Sequence, residues 1–352
     1  VTLEDGSSVR QYPRLSHGGA HLADPAAEHG TDVLLRSVRG LLTGTLVWAI
    51  LIAALLAWRS RGLGAAWRTA LQRLWQGRTR LPWRTAALTL LVLCMLSGIL
   101  VELSRGYYVL GTDKVGQDVL YQALKSIRTG LVIGTLTTVV MLPLALLLGI
   151  LAGYHKGWTD DLIQYLYTTL NAIPGVLLIA AAVLMMDIYI SNNADQFTSV
   201  GERADLRLLF LCLILGITSW TSLCRLLRAE TFKLVELEFV QAARALGVSH
   251  GVILARHILP NVMHIVLITV VLDFSGLVLA EAVLSYINIG VDPTTESWGN
   301  MINSARLELA REPVVWWSLT AAFIFMFVLV LAANLFADAV RDAFDPRTGG
   351  RA

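Results

Sequence analysis

Charged residues are scarce in this sequence of 352 residues. Asp, Glu, Lys and Arg together make up 15% of it, whereas hydrophobic residues make up 55%. An average soluble domain carries about 25% charged residues, and the mean hydropathy here is +0.62. This composition excludes an ordinary soluble domain and predicts a polytopic membrane protein with no nucleic-acid partner.

Cysteine and catalytic motifs are also nearly absent. Cys94, Cys212 and Cys224 lie in or beside apolar runs, and no Cys/His pair has zinc-ligand spacing. We interpret the cysteines as packing residues and predict no metal site. The sequence contains no GxxxxGK(S/T), GxSxG or HExxH motif, so we expect no catalytic residue and no cofactor bound by this chain.

Long apolar runs are what the sequence does contain. Seven are long enough to cross a bilayer as helices, near residues 41–57, 85–102, 131–152, 162–187, 207–227, 263–285 and 314–337. The sequence therefore predicts an all-α fold, a polytopic membrane helix bundle of about seven spans.

The positive residues in the loops predict the orientation of the bundle. The loop 58–84 holds seven arginines and no acid, so we expect it to be cytoplasmic, with an amphipathic helix along the membrane surface. Counting spans then places 228–262 and the tail 341–352 in the cytoplasm, and residues 1–40 outside. Because the sequence begins with Val1 and 1–40 do not resemble a signal peptide, we expect a further span to precede it.

The cytoplasmic stretch 238–260 has a distinctive pattern. Its first half has the spacing of a short amphipathic helix that ends at Gly247, where we expect the left-handed backbone typical of a helix end. Its second half indicates another short helix, followed by Pro260 at the entry to the next span. The pattern predicts a rigid elbow between two spans.

This elbow resembles the EAA loop of binding-protein-dependent ABC importer permeases. Gln241-Ala242-Ala243, Gly247 and His257-Ile258-Leu259-Pro260 keep the spacing of that loop. Gln241 stands where the family usually has Glu, and His257 stands where it has Ile.

Three further blocks resemble the C-type subunit of the dipeptide/oligopeptide/nickel branch of this family. They are the segment 111–128, which begins Gly111-Thr112-Asp113 and includes Asp118, the segment 283–302, and the tail 338–346. With the elbow, the four ordered blocks cover roughly residues 107–347. We expect a permease core at 107–340, preceded at 41–106 by two extra spans and the arginine-rich loop.

The resemblance implies a type I importer permease in the bacterial inner membrane. Such a subunit would form half of a translocation pathway for peptides or peptide-like solutes. Its partners would be a homologous second permease, two ABC ATPase domains that bind ATP and Mg²⁺, an extracytoplasmic solute-binding protein and membrane lipid. The residues implied in coupling to the ATPase are Glu238, Phe239, Gln241, Ala242, Ala243, Arg244, Leu246, Gly247 and Pro260.

Two acidic residues within one span suggest either a pathway or a structural role. Asp273 and Glu281 are about two helical turns apart, and carboxylates in hydrocarbon are costly enough to face protein or water. They line the pathway in one interpretation, pair with Arg or Ser groups in another, and would couple ions in the alternative of a secondary transporter or channel.

Other candidates are turns and helix breaks. Asn171 and Pro174 interrupt a span and provide either a gate or an ordinary kink. Residues 111–113 are expected to form an external turn, and Asp118 to cap the helix that follows.

Overall fold

The seven predicted spans are present as helices. The computed structural model describes residues 17–22, 24–63, 83–193, 199–310 and 314–344. Within these residues there are helices and two isolated bridges but no strand, and seven helical stretches are long and apolar enough to cross a membrane. The all-α prediction is confirmed, while the predicted helix in the arginine-rich loop and the end of the tail lie outside the described residues.

The chain divides into two compact units, Val1–Gly111 and Thr112–Ala352. In the first unit, α1 (Pro25–Leu63) and α2 (Trp83–Ser104) pack antiparallel. A Cβ atom at Gly44 would lie 2.3 Å from the carbonyl oxygen of Cys94, and one at Gly98 would lie 2.3 Å from that of Gly40. Only glycine permits this approach, so the two backbones are in direct contact.

A polar cluster joins the N-terminal side of α1 to the residues after α2. The Asp32 carboxylate accepts hydrogen bonds from Arg36 Nε at 2.7 Å and from the Tyr107 hydroxyl at 2.9 Å. His21 Nε2 lies 2.8 Å from the same Asp32 oxygen. Burial, and then the hydrogen bond to Asp32, raise the pKa of Tyr107. One carboxylate thus joins a neighbour on its own helix, Arg36, to His21 and to Tyr107, which is 75 residues away in the chain.

The second unit contains the remaining described helices. In chain order they are α3 (Val119–His155), α4 (Trp158–Ala172), α5 (Gly175–Asn192), α6 (Val200–Val235), α7 (Glu238–Ala245), α8 (His250–Ile253), α9 (Leu259–Tyr286), α10 (Trp298–Glu308) and α11 (Trp317–Phe344).

Helices α3 and α6 form the central pair of this unit. Cβ atoms at Gly149 and Gly153 of α3 would lie 2.8 and 2.7 Å from carbonyl oxygens of α6, and one at Gly216 of α6 would meet Val140 of α3 at 2.6 Å. Two buried apolar clusters flank the pair: one includes Ile150, Leu223, Leu227, Ile253 and Val262, and the other includes Ile133, Leu211, Leu215, Val183 and Leu284. The unit therefore has a continuous interior in addition to its glycine contacts.

Two sequence predictions about element boundaries are wrong. The span predicted at 162–187 is two helices, because Pro174 has no N–H and disfavours a helical backbone at Ile173, which is extended (φ −89°, ψ 129°). The first span was predicted to start near residue 41, but the helix that contains it already begins at Pro25. Asp32 and Arg36 form an ion pair four residues apart, which stabilises this N-terminal part of α1 although it contains charged residues.

Candidate functional site

Gly247 ends α7 with a left-handed backbone, as predicted. Its φ is +76°, its N–H bonds to the Arg244 carbonyl oxygen at 3.0 Å, and the Val248 N–H bonds to that of Ala243 at 3.1 Å. This pair of bonds is the Schellman arrangement, which turns the chain sharply after a helix. A side chain at position 247 would meet nothing within 4 Å, so the requirement for glycine is conformational.

Helix α7 has one buried and one exposed face. Val240 and Ala243 are buried in the apolar cluster beside α3 and α6. Phe239, Ala242 and Leu246, at helical spacings of three and four, are exposed on another face, and Leu246 is 83% exposed. An apolar stripe on a short, firmly seated helix is the geometry of a docking surface.

The second half of the elbow is continuous with the span that follows, which corrects the prediction of a separate short helix. A widened π-helical turn, Leu254–Ile258, links α8 to α9. The Leu259 N–H bonds to the Leu254 carbonyl oxygen, and Pro260 next to it has no N–H to donate. The wider turn precedes the position where the proline breaks the regular ladder.

Three side chains fasten the elbow to the end of α3. The Arg244 guanidinium lies 4.6 Å from the centre of the Tyr154 ring, and the Tyr154 hydroxyl is 2.6 Å from His250 Nδ1. Arg244 is on α7, Tyr154 on α3 and His250 on α8. These contacts hold both halves of the elbow to the end of a long span.

Gln241 belongs to a second link to the same end of α3. Its amide nitrogen is 3.4 Å from a Glu236 carboxylate oxygen, and Lys156 Nζ lies 2.5 Å from the other oxygen. The hydrogen bond from Lys156 lowers the pKa of Glu236. A glutamate at 241 would place a second negative charge beside Glu236, which gives a physical reason for the glutamine in this chain.

A bidentate ion pair braces α6 against α4. Arg228 donates to the Asp160 carboxylate from Nε and from Nη2, with Nη2 at 2.7 Å from Oδ2, and the guanidinium lies 4.8 Å from the Phe232 ring centre. Asp160 is 8% exposed. Sequence reasoning missed the Tyr154–His250 contact and this ion pair, because their members are 96 and 68 residues apart in the chain. The polar end of an otherwise apolar run was the only sequence signal in this region.

Residues 112–118 of the second unit form a turn that is held by hydrogen bonds within it. Asp113 Oδ1 accepts from the N–H groups of Val115 and Gln117 at 3.0 and 2.8 Å. Asp118 Oδ1 accepts from the Leu120 N–H at 2.8 Å and caps α3, as predicted. Gly111, with φ +75°, is the last residue of the first unit.

The two intramembrane acids are in different surroundings. Glu281 is 1% exposed, and its Oε1 accepts a hydrogen bond from the Ser285 hydroxyl at 2.6 Å. Its place inside the subunit favours the structural interpretation over a side chain lining a pathway. Asp273 is half-buried, and its Oδ2 has no hydrogen-bond partner among the residues that the structure describes. The structure does not join the two acids in one polar cluster.

Asn171 and Pro174 lie at the break between α4 and α5. Both are exposed, and Asn171 Oδ1 accepts from the Thr221 hydroxyl on α6 at 3.0 Å. Pro174 directly precedes α5 and, together with Ile173, separates the two helices by two residues with non-helical backbone. The region is a break between helices rather than a kink within one. Among the described residues, no group of three or more His, Cys, Asp or Glu side chains could hold a metal ion.

Seven helices long and apolar enough to cross a membrane, with an elbow fastened to a central helix, define the class of this protein as a polytopic membrane protein. Residues 145–350 match the family described as binding-protein-dependent transport system inner membrane component. The chain belongs to this family, and it is a permease subunit of a transport system rather than an ion-coupled transporter.

Individual relatives agree with the family. The chain is 32% identical over 240 residues to the glutathione transport system permease protein of Pectobacterium atrosepticum, covering 68% of this chain and 72% of that one. It is 33% identical over 237 residues to the oligopeptide transport system permease protein of Mycobacterium bovis, covering 67% and 75%. The dipeptide transport system permease protein of Lactococcus lactis is 30% identical over 240 residues, covering 68% and 64%.

Proposed function

We propose that this subunit forms half of the translocation pathway of an ATP-driven importer for peptides or peptide-like solutes. The names of the relatives, which include glutathione, oligopeptide and dipeptide systems, support the solute class. The other half would come from a homologous permease. An extracytoplasmic binding protein would deliver the solute, and two separate ATPase domains would bind ATP and Mg²⁺.

The observation that carries this proposal is the exposed stripe of α7 on a firmly seated elbow. Phe239, Ala242 and Leu246 present apolar surface, while the buried face and the Arg244–Tyr154–His250 contacts hold the helix to α3. An ATPase groove that closes on ATP binding would push α7. The push would reach α3 and, through the continuous π turn, α9, and so switch the pathway between its two openings.

Replacing Gly247 with valine tests the coupling. A β-branched residue with φ near +76° is strongly disfavoured, so the valine should alter the end of α7 and separate ATP hydrolysis from transport. We expect the reconstituted complex with this variant to retain basal ATPase activity and lose most peptide uptake.

Gly251→Val is the matched control for this experiment. Gly251 lies on α8 four residues away, its φ is outside the left-handed range, and a Cβ there also meets nothing within 4 Å. Uptake in the control should stay near wild type. Wild-type coupling in Gly247→Val would exclude the proposed role of α7, and uptake that persists without the ATPase subunits would exclude the ATP-driven mechanism itself.

The arginine-rich loop 58–84 gives the orientation: we place it, α7 and the C-terminus in the cytoplasm. A cysteine introduced at Gly77, in a chain whose three native cysteines have been replaced, should resist external impermeant thiol reagents in intact cells and react after permeabilisation. Rapid labelling in intact cells would reverse the assignment for the first unit.

A further inference from the structure

A polar cavity of about 370 Å³ lies within the second unit, apart from the elbow. Its walls come from the turn 113–117, the start of α3, the segment 293–297, α10 and the first residues of α11. Lys114, Val115 and Ser304 are exposed at its rim, whereas Ser297, Met301 and Ser318 are buried in its walls. This volume is many times the ~10–15 Å³ that a site for one water molecule needs on the same measure, so the cavity can receive an organic group.

Glu308 lines this cavity and forms no ion pair with any residue that the structure describes. The residue is 1% exposed. Its Oε1 is 3.5 Å from the Lys114 backbone nitrogen, and its Oε2 has no hydrogen-bond partner in the described parts of the chain. A buried carboxylate without a partner is costly, and Glu308 ends α10, where the helix dipole disfavours negative charge. A bound cation would relieve both penalties.

The other carboxylates that line the cavity already have partners. Asp113 accepts from two backbone N–H groups and from Gln122 Nε2 at 3.1 Å. Glu296 forms an ion pair with Lys125 at 3.1 Å. Glu308 is therefore the carboxylate with an acceptor oxygen to offer to a ligand.

We propose that the cavity binds a protonated amine, an alkylammonium or guanidinium group that donates to Glu308 Oε2. The serine and threonine hydroxyls of the walls would accept its remaining hydrogens, and Met301 and Val115 supply apolar surface for its carbon chain. The described residues contain no group of three His, Cys, Asp or Glu side chains that could hold a metal ion, which favours an ammonium group over a transition metal. The inference does not depend on the proposed solute class.

The Lys114 side chain lines the same cavity and could compete for Glu308. Its backbone, not its ammonium group, makes the contact recorded with Glu308. Lys114→Met should therefore leave amine binding unchanged or strengthen it, and a weaker affinity in this variant would contradict Glu308 as the acceptor.

The test uses the purified full chain in lipid nanodiscs, with thermal stability followed against increasing n-butylammonium chloride at constant ionic strength. A ligand that binds only the folded state raises the unfolding temperature in a saturable way. We expect saturable stabilisation by butylammonium, little by tetramethylammonium, which has no N–H donor, and none by 1-butanol. Absence of saturable stabilisation by butylammonium would overturn the proposal.

Glu308→Gln should weaken the butylammonium affinity at least about tenfold, because it removes a charge-assisted hydrogen bond. Glu230→Gln, which changes a carboxylate paired with Lys233 outside the cavity, should bind as wild type. If Glu308→Gln does not fold, Ser304→Trp at the exposed rim should block entry and abolish binding without touching the carboxylate. Wild-type affinity in a folded Glu308→Gln or Ser304→Trp variant would refute the site.

Two competition arms identify the source of the ammonium group. A dipeptide with a free N-terminus that displaces butylammonium, when its N-acetylated form does not, assigns the site to the solute. Displacement by the extracytoplasmic binding protein, lost when its surface lysines are acetylated, assigns it to a protein side chain.

Discussion

The helical hairpin of the first unit and the α3–α6 pair of the second both bring helices together through glycine, but their surroundings differ. In the hairpin, Gly40, Gly44 and Gly98 place backbone against backbone, while outward residues of both helices are between 54% and 68% exposed: Leu34, Leu46, Ile50, Val92, Leu93 and Leu96. In the α3–α6 pair, buried residues of α5, α8 and α9 cover the flanks.

The difference shows what a glycine contact can do alone. Between two helices in lipid, association depends on close packing, because lipid tails are as apolar as the side chains they replace. The hairpin therefore relies on its glycines, the Trp48–Ala87 hydrogen bond and the Asp32 cluster. In the second unit, glycine contacts set the spacing of α3 and α6, and these two helices are also held by many other buried side chains.

The largest effect is expected from Gly153→Val in the second unit. A Cβ atom there would lie 2.5 Å from Thr231 Cβ and 2.7 Å from the Arg228 carbonyl oxygen. Because neighbouring helices prevent α3 and α6 from moving apart, the clash should cost about 3 kcal/mol or more. Unfolding of the purified chain in a detergent titration with dodecyl sulfate should shift to much lower concentration.

Gly276→Val is the control for that substitution, since a Cβ at Gly276 on α9 meets nothing within 4 Å. It should unfold close to wild type. An equal loss of stability in both variants would mean that the α3–α6 contact is not the reason for the effect.

A more local effect is expected from Gly44→Val in the hairpin. Its Cβ would clash with the Cys94 carbonyl oxygen at 2.3 Å, but the two helices can separate into lipid because their outer faces are not packed. We expect a cost of about 1–3 kcal/mol, visible as faster hydrogen exchange in 36–48 and 90–101 and unchanged exchange in α3 and α6.

The control is Gly30→Val on the same helix, where a Cβ meets nothing within 4 Å. This variant should exchange as wild type. Faster exchange throughout the second unit would contradict the independence of the two packing arrangements.

The sequence predicted the features that repeat along the chain, and it missed those that depend on distant partners. The apolar runs located the spans, apart from 162–187, which merged α4 with α5. Gly247 marked the end of α7, because hydrophobic length and a left-handed glycine are local properties. The break at Pro174 was underestimated, since a proline alone does not say whether neighbouring groups will compensate for a lost hydrogen bond. Glu281 could not be assigned, because its burial against Ser285 depends on how α9 packs.

The smallest effect concerns the polar cluster of the hairpin. The neutral Tyr107 hydroxyl donates to Asp32, and burial and this hydrogen bond raise the pKa of the phenol. The stabilisation from Tyr107 is therefore complete below the unfolded-state pKa of about 10 and is lost as the pH rises through the higher folded-state pKa. Tyr107→Phe should lower hairpin stability by about 1 kcal/mol near pH 8, and the difference from wild type should shrink above pH 10. Thermal unfolding of both chains in micelles at pH 8 and pH 11 measures this, and a difference that grew with pH would show that the hydroxyl does not act as the donor to Asp32.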